Sequence, residues 1–373
     1  MKKPFVKGGK ALTLTAALLC TAVFLGSLMA FGTTAQAETQ AEAQAFTPGV
    51  AGQITSCKIS GDKQNVEIGF SSTGDVTGTD GNIYVFEMQP YEEELGSRSN
   101  FIASSPALSA ASVSVPLNLG TPQDKLYSRF VLAVFDGTKF IKVSQPHYIT
   151  NPELIAKNQT PFNDPLTKKG LVIEIDMLND AFDLGVKHVT TNIAFSQIMG
   201  TGIDYQYDGK TYHFNKGVVA EYDRIVEYMS NKDLMVTAII LNGWNDNTPQ
   251  LFLPGITKNS KAYYYSFNGS TAEGVETIKA IASFLAERYS GTQGKGKISN
   301  WIIGNEINNN EIWNYAGEKD LNTYVREYMK AFRVFYTAIK SVNSNDRLYF
   351  STDFNWTDPE ASQVKYGARE GIA

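Results

Sequence analysis

"LMVTAIILNGW", residues 234–244, is an unbroken apolar run that turns polar at Asn242 and closes on Trp244. A strand that is apolar without alternation belongs to a sheet covered on both faces, which in practice means a parallel sheet wrapped in helices. Helical spacing flanks the run on both sides. Tyr222, Ile225, Val226 and Met229 precede it; after a long loop (245–270), Val275, Ile278, Ile281, Ala282 and Leu285 follow it. Farther on come a second apolar run, "ISNWIIGNE" (298–306), and a helix over 321–340 with Tyr324, Val325, Tyr328, Met329, Phe332, Phe335 and Ile339 on one broad face. "RLYFSTDFNW" (347–356) reads as one more strand. Upstream, "HVTTNIAF" (188–195) is a strand, separated by a loop of about 25 residues from the helix at Tyr222. "MLNDAFDLGV" (177–186) reads as a helix closed by Gly185, and "LVIEIDM" (171–177) fits either a first strand or a helix start. Strands alternating with helices give a parallel sheet with right-handed crossovers.

Two closures suit such a sheet: an open doubly wound sheet or an eight-fold barrel. No GxGxxG turn follows an early strand, and no GxxxxGK[ST] loop is present. The residues out of place in apolar strands fall instead at successive strand ends: Asn192; Asn242 and Trp244; Asn305 and Glu306; Asp353, Asn355 and Trp356. Barrel enzymes carry their active sites on that rim, so the expected fold is α/β with a (β/α)8 TIM-barrel-type domain over 151–373.

The front of the chain has other business. Lys2, Lys3, Lys7 and Lys10 precede an apolar run from Ala11 to Phe31, and Ala35-Gln36-Ala37 supplies small residues for cleavage. Residues 1–37 are therefore expected to be an export signal, leaving a secreted or cell-surface protein with no membrane insertion after cleavage; an uncleaved anchor is the alternative. Residues 38–50 read as a polar linker. Over 51–150 the rhythm becomes short alternating runs, such as "VEIGF" (66–70), "IYVFEM" (83–88) and "RFVLAVFDGTKFIKVS" (129–144), the last with Asp136-Gly137 at a hairpin turn. A small all-β immunoglobulin-like sandwich is expected there, serving as a carbohydrate-binding or spacer module or merely packing on the next domain.

The net charge of −5 gives no reason to expect nucleic-acid binding. Of the two cysteines, Cys20 falls in the export segment, which leaves Cys57 without an intramolecular partner and excludes multi-cysteine zinc sites. The three histidines, His147, His188 and His213, lie in different settings, so neither a metal nor an organic cofactor is implied. What the rim offers is amides, carboxylates and tryptophans, the groups that bond sugar hydroxyls and stack on pyranose faces. Glycosidic bonds are cleaved by two carboxyl groups, one an acid of raised pKa. Glu306, at the end of a buried strand beside Trp301, suits that acid, with Asn305 placed to bond a hydroxyl next to the reacting carbon. Read from the residues alone, Glu306 could instead cap the following segment, and Trp244 and Trp356 could be core residues.

The strand followed by Gly304-Asn305-Glu306 resembles the Asn-Glu signature on the fourth strand of the cellulase-like clan of retaining (β/α)8 glycoside hydrolases. That resemblance implies Glu306 as general acid/base and Asn305 as contact to the sugar 2-hydroxyl. "LGVKHVTTNI" (184–193) resembles the clan's second strand, with Asn192 where an arginine is often found. "YITNPE", "KKGL" and "STDFNW" are similar to a family of secreted bacterial proteins described only as glycoside-hydrolase-like, over most of residues 145–366. The substrate implied is a poly- or oligosaccharide, with Asn305, Asn242, Trp244, Asn192, Asp353 and Trp356 as its candidate contacts.

In that clan the nucleophile is a glutamate on the seventh strand. A full barrel takes about 250 residues and eight strands, whereas 165–373 reaches only five by this reading. The expectation is a glycoside-hydrolase-like enzyme whose barrel is truncated after about five strands, with the nucleophile not present in this chain, so that the chain as given is inactive on its own; Glu370 has no strand before it. A non-catalytic carbohydrate-binding protein, or a surface structural protein with a degenerate barrel, is the alternative.

Overall fold

A computed structural model of the chain describes residues 52–72, 78–354, 356 and 367–369. The export signal and linker expected over 1–50, together with Asn355 and Glu370, lie outside the described residues.

Alternation decides the first part. In β2 (Asn65–Ser72), Val66, Ile68 and Phe70 are buried while Glu67 is exposed. This strand pairs antiparallel with β1 (Gly52–Ile59) on one side and β5 (Ala110–Pro116) on the other. A second antiparallel sheet contains β3 (Asn82–Met88), β4 (Ala103–Pro106), β6 (Arg129–Phe135), β7 (Phe140–Lys142) and β8 (His147–Tyr148), with β3 and β6 at its centre. Cys57, Ile68 and Phe70 of the first sheet and Val85, Phe130 and Leu132 of the second share one apolar core. The Asp136-Gly137 turn forms as the sequence suggests. Gly137 takes φ 100°, and the Asp136 carboxylate accepts from the N–H groups of Thr138 (2.8 Å) and Lys139 (2.9 Å).

The second part is a five-stranded parallel sheet whose spatial order follows chain order: β9 (Gly170–Val172), β10 (His188–Ala194), β13 (Met235–Leu241), β14 (Ile298–Ile303), β15 (Arg347–Tyr349). A doubly wound sheet reverses direction part-way through its order; this one does not. Three long helices link the last four strands: α2 (Lys216–Ser230), α3 (Ala272–Arg288) and α4 (Leu321–Lys340). Each begins on a side-chain cap. Asn215 accepts from Gly217 and Val218, Thr271 from Gly274, and Asp320 from Thr323. Their apolar stripes meet Val189, Ile193, Val236, Ala238, Ile240, Trp301 and Ile303 in the main core.

Several expectations are revised by these elements. The segment 171–177 divides into the short β9 and a single 3₁₀ turn at Ile175–Met177. The helix expected over 177–186 shrinks to α1 (Asp180–Asp183), which Gly185 closes in the left-handed region at φ 64°. The stretch read as a 25-residue loop contains an antiparallel hairpin, β11 (Gly202–Tyr207) and β12 (Lys210–Asn215), turning on Asp208 and Gly209, both at positive φ. The strand read over 347–356 ends at Tyr349, because from Ser351 onward the backbone bonds sideways to the loop after β14. Nor is the 234–244 strand buried on both faces alike. Thr237 and Ile239 are half-buried on the side away from the helices, where His188, Thr190, Thr237, Asn300 and Arg347 line a cavity of about 370 Å³.

One buried acid gives the scaffold a pH signature. Asp346 is 1% exposed. Its Oδ2 accepts from the Trp301 indole (3.0 Å) and the Asn343 amide (3.1 Å), and the Lys297 ammonium stands 3.5 Å from Oδ1. Burial outweighs these partners and pushes its pKa up to about 6. The folded state then holds this proton more tightly than the unfolded chain, whose aspartate titrates near ~3.9. Its contribution is complete below about pH 4 and is lost as the pH rises through about 6, a change of about 3 kcal/mol. The stability of wild type minus that of Asp346→Asn should therefore fall by roughly this amount between pH 4 and pH 7 in urea titrations. A difference independent of pH would refute the assignment.

Candidate active site

The turn after β14 is fixed from three directions. From the neighbouring strand, the Gly304 N–H donates to the Ile240 carbonyl at 2.9 Å. From the helix beneath, the Tyr328 hydroxyl donates to the Ile303 carbonyl (2.7 Å), and the Tyr324 hydroxyl donates to the Ile307 carbonyl. From the loop after β15, Ser351 takes two bonds: its Oγ accepts from the Glu306 N–H (3.0 Å) and its carbonyl from the Ile307 N–H (2.9 Å). Asn308 and Asp353 then pair reciprocally, the Asn308 amide donating to Asp353 Oδ1 (2.8 Å) and the Asp353 N–H to Asn308 Oδ1 (2.9 Å). These contacts hold Glu306 at φ 43°, two residues after Gly304 at φ 78°. A glutamate in the left-handed region costs on the order of 1–3 kcal/mol and persists only where its surroundings over-determine it. Glycine or asparagine would sit there more easily, so turn geometry alone does not account for an acid at this position.

Glu306 is half-buried, and burial raises its pKa, with the charge of Asp353 adding to the rise. Asp353 is itself buried at 8% exposure. A carboxyl raised in this way keeps its proton to higher pH than an ordinary glutamate, the property a proton donor needs near neutrality. Asp353→Asn removes the neighbouring charge but leaves an oxygen for the Asn308 amide. The Glu306 titration should then move to lower pH while remaining above the ordinary range, because burial persists. Carbon-13 shifts of labelled glutamate carboxyls would follow it. An unmoved midpoint in a folded variant would show that Asp353 does not act on Glu306.

The remaining expected site residues divide by environment. Asn305 is half-buried beside this pair, its Oδ1 3.4 Å from the Ser351 hydroxyl. Asn242 is 1% exposed and anchors the long loop: its amide donates to the Leu251 carbonyl (3.0 Å), and its own carbonyl accepts from Tyr265. Trp244 stacks on Phe252 with centroids 4.6 Å apart and donates to Asp246 (2.7 Å), so it is part loop core and part surface. Asn192 is exposed on the helix-free face of β10, and Trp356 is 51% exposed; neither has a side-chain hydrogen bond or ring contact to the others among the described residues. Trp301 does not lie against Glu306. Its indole turns into the core toward Asp346.

Sequence reasoning passed over Ser351, Asn308, Tyr263, Tyr264 and Trp313. Ser351 and Asn308 act through register between two loops that sequence does not pair. The run Tyr263-Tyr264-Tyr265 was the available signal for the aromatic cluster. Among the described residues, no group of three His, Cys, Asp or Glu side chains is arranged to hold a metal ion.

A family model described as a family of unknown function (DUF5722) matches residues 161–373, more than half of the chain. The chain belongs to that family. Glu306, Asp353 and every other site residue considered above fall within the matched region, and the two antiparallel sheets precede it. No curated protein matches the chain. Among solved structures it is similar to Cel5A of Thermotoga maritima in complex with cellobiose, at 15% identity over 48% of this chain and 45% of that one, TM-score 0.29. A β-glucosidase of Thermotoga maritima in complex with glucoimidazole matches at 17% identity over 53% and 42%, TM-score 0.33. The β-glycosidase of Thermosphaera aggregans matches at 14% over 50% and 44%, TM-score 0.34. The chain spans less than half the length of each of these structures.

Proposed function

We propose that the protein is a glycoside-hydrolase-like enzyme of retaining type, with Glu306 as its general acid/base. One observation carries this reading: a glutamate in strained backbone, clamped by α4 and the loop after β15, with its carboxyl raised by burial and by Asp353. On this reading the parallel sheet is of the (β/α)8-barrel type, its chain-order strands presenting the site at their C-terminal ends. The two antiparallel sheets are then an immunoglobulin-like sandwich.

Protonated Glu306 gives its proton to the glycosidic oxygen as the bond from that oxygen to the anomeric carbon breaks. A carboxylate on the opposite face takes the sugar as a covalent ester; we assign no residue of this chain to that nucleophile. Glu306, now ionised, removes a proton from the water that attacks the anomeric carbon; the ester bond breaks, the carboxylate leaves, and the sugar is released with its configuration restored and Glu306 protonated again. Asn305, on the same turn, is placed to bond a hydroxyl of that sugar. The test is release of reducing ends from soluble β-glucan, xylan, glucomannan and galactan by the full-length protein and by its Glu306→Gln variant. Cleavage that survives the substitution would overturn the assignment, as would failure of the full-length protein to cleave any glycan.

A further inference from the structure

The loops after β13 and β14 are joined to each other as closely as strands. Tyr263 and Tyr264 both donate their N–H to the Ile312 carbonyl (2.9 and 3.1 Å); Tyr315 donates back to Tyr264 (2.9 Å), and Ser266 to Tyr315 (2.9 Å). This pairing brings together rings that lie about fifty residues apart in sequence. Tyr264 stacks on Trp313 with centroids 5.7 Å apart and planes 19° from parallel, and Tyr263 meets the same indole edge-on at 5.7 Å. Tyr265, by contrast, is the buried member of the run and holds the loop from inside, packed on Trp244, Phe252 and Tyr315.

One side of the cluster is open to solvent. Tyr263 is 63% exposed, and Tyr264 and Trp313 are half-buried. The Tyr264 ring lies over Gly243, two residues beyond β13, where a Cβ would come within 3.9 Å of it. Its hydroxyl has no hydrogen-bond partner among the described residues. The cluster is also tied directly to the acid: the Glu306 carbonyl accepts from the Asn309 N–H (2.7 Å), and the Asn309 carbonyl from the Trp313 N–H (3.1 Å). Trp313 thus stands two turns of hydrogen bonds from Glu306 on one continuous loop.

We propose that Tyr263, Tyr264 and Trp313 form a sugar-binding platform that holds a glycan chain on one side of Glu306. This rests on the glycosidase reading above and deepens it. Flat aromatic faces take the C–H side of a pyranose, and an unpaired phenol at their margin bonds one of its hydroxyls. A platform separate from the acid engages sugars beyond the pair flanking the broken bond. The substrate class is therefore a chain of several hydroxylated pyranoses rather than a disaccharide or a simple glycoside.

The test uses the full-length Glu306→Gln protein, so that bound glycan survives, with the four polysaccharides above and their di- and hexasaccharides as probes. Tyr263→Ala, at an exposed position, and the milder Trp313→Phe are added separately, with melting curves to show that each still folds. Tyr263→Ala, which removes a ring, should weaken hexasaccharide binding by about tenfold, and Trp313→Phe, which only shrinks one, by a smaller factor, with disaccharide binding nearly unchanged. Unchanged hexasaccharide affinity in both variants overturns the platform but leaves the hydrolase reading standing, provided the unmutated protein cleaves. If the unmutated protein neither binds nor cleaves any probe, the functional reading fails and the platform with it.

Discussion

Glu306→Gln should lower turnover of an unactivated glycan by about 10²- to 10⁴-fold, the span that a positioned proton donor supplies, while leaving glycan binding largely intact. Gln keeps the length and shape of the side chain and both backbone bonds of the turn, and what disappears is the proton. The loss should depend on the leaving group. An aryl glycoside whose phenol leaves without protonation should suffer much less in the first step than a sugar alcohol, which needs the acid. The pH profile carries a second signature. Because burial and Asp353 raise the Glu306 pKa, wild-type activity should persist above the ordinary carboxylate range and decline as that proton is lost; in Glu306→Gln this limb should vanish. The competing role, a cap for the segment after β14, predicts otherwise. Gln would cap nearly as well, turnover would hold, and no leaving-group dependence would appear. Steady-state kinetics on two substrates of different leaving-group acidity separate the two accounts.

What the sequence reveals and conceals here follows from the range of the interactions. Helices α2, α3 and α4 are legible because their stripes repeat at helical spacing within one segment. Strand β13 is legible because six of its seven residues are apolar, with only Thr237 among them polar. The β11–β12 hairpin was equally local, with Asp208-Gly209 between alternating runs, but lies in a stretch whose exposed residues offer no continuous apolar signal. Glu306 and Asn305 stand out because a carboxylate and an amide directly follow a buried strand. Their supports do not, since Ser351 meets the Glu306 N–H and Asp353 meets the Asn308 amide, each across 45 residues and a parallel register. Asn242 shows the opposite error. A polar residue at a strand end looks available to substrate, whereas burial commits it to holding the loop. Tyr263 and Tyr264 acquire a partner only when the loops after β13 and β14 pair, a contact with no periodicity to betray it.

That loop pairing has a foundation, and its removal should destabilise the scaffold strongly. Phe335 of α4 is 1% exposed and meets two rings from rim segments edge-on: Phe195, just after β10, at 5.0 Å, and Phe267, in the loop after β13, at 4.9 Å. Phe195 and Phe267 in turn meet at 5.3 Å, closing a triangle. Phe335→Ala removes one corner and leaves a cavity that two separate chain segments and a helix would have to collapse together. The expected cost is about 4 kcal/mol, within the range for phenylalanine truncation in a packed core. Phe335→Leu, which refills most of the volume but loses the edge contacts, should cost roughly 1–2 kcal/mol. Urea titrations followed by tryptophan fluorescence would read both as shifts in midpoint at unchanged slope. A cost below about 1 kcal/mol for the alanine variant would show that the neighbours fill the gap, contrary to a triangle anchored on a helix. Because Phe267 lies between Tyr265 and Gly269, where a Cβ would come within 2.5 Å of the Ala331 backbone, the loop has little freedom to follow the missing ring. The alanine variant should therefore lose glycan affinity along with stability, whereas Phe335→Leu should retain most of both.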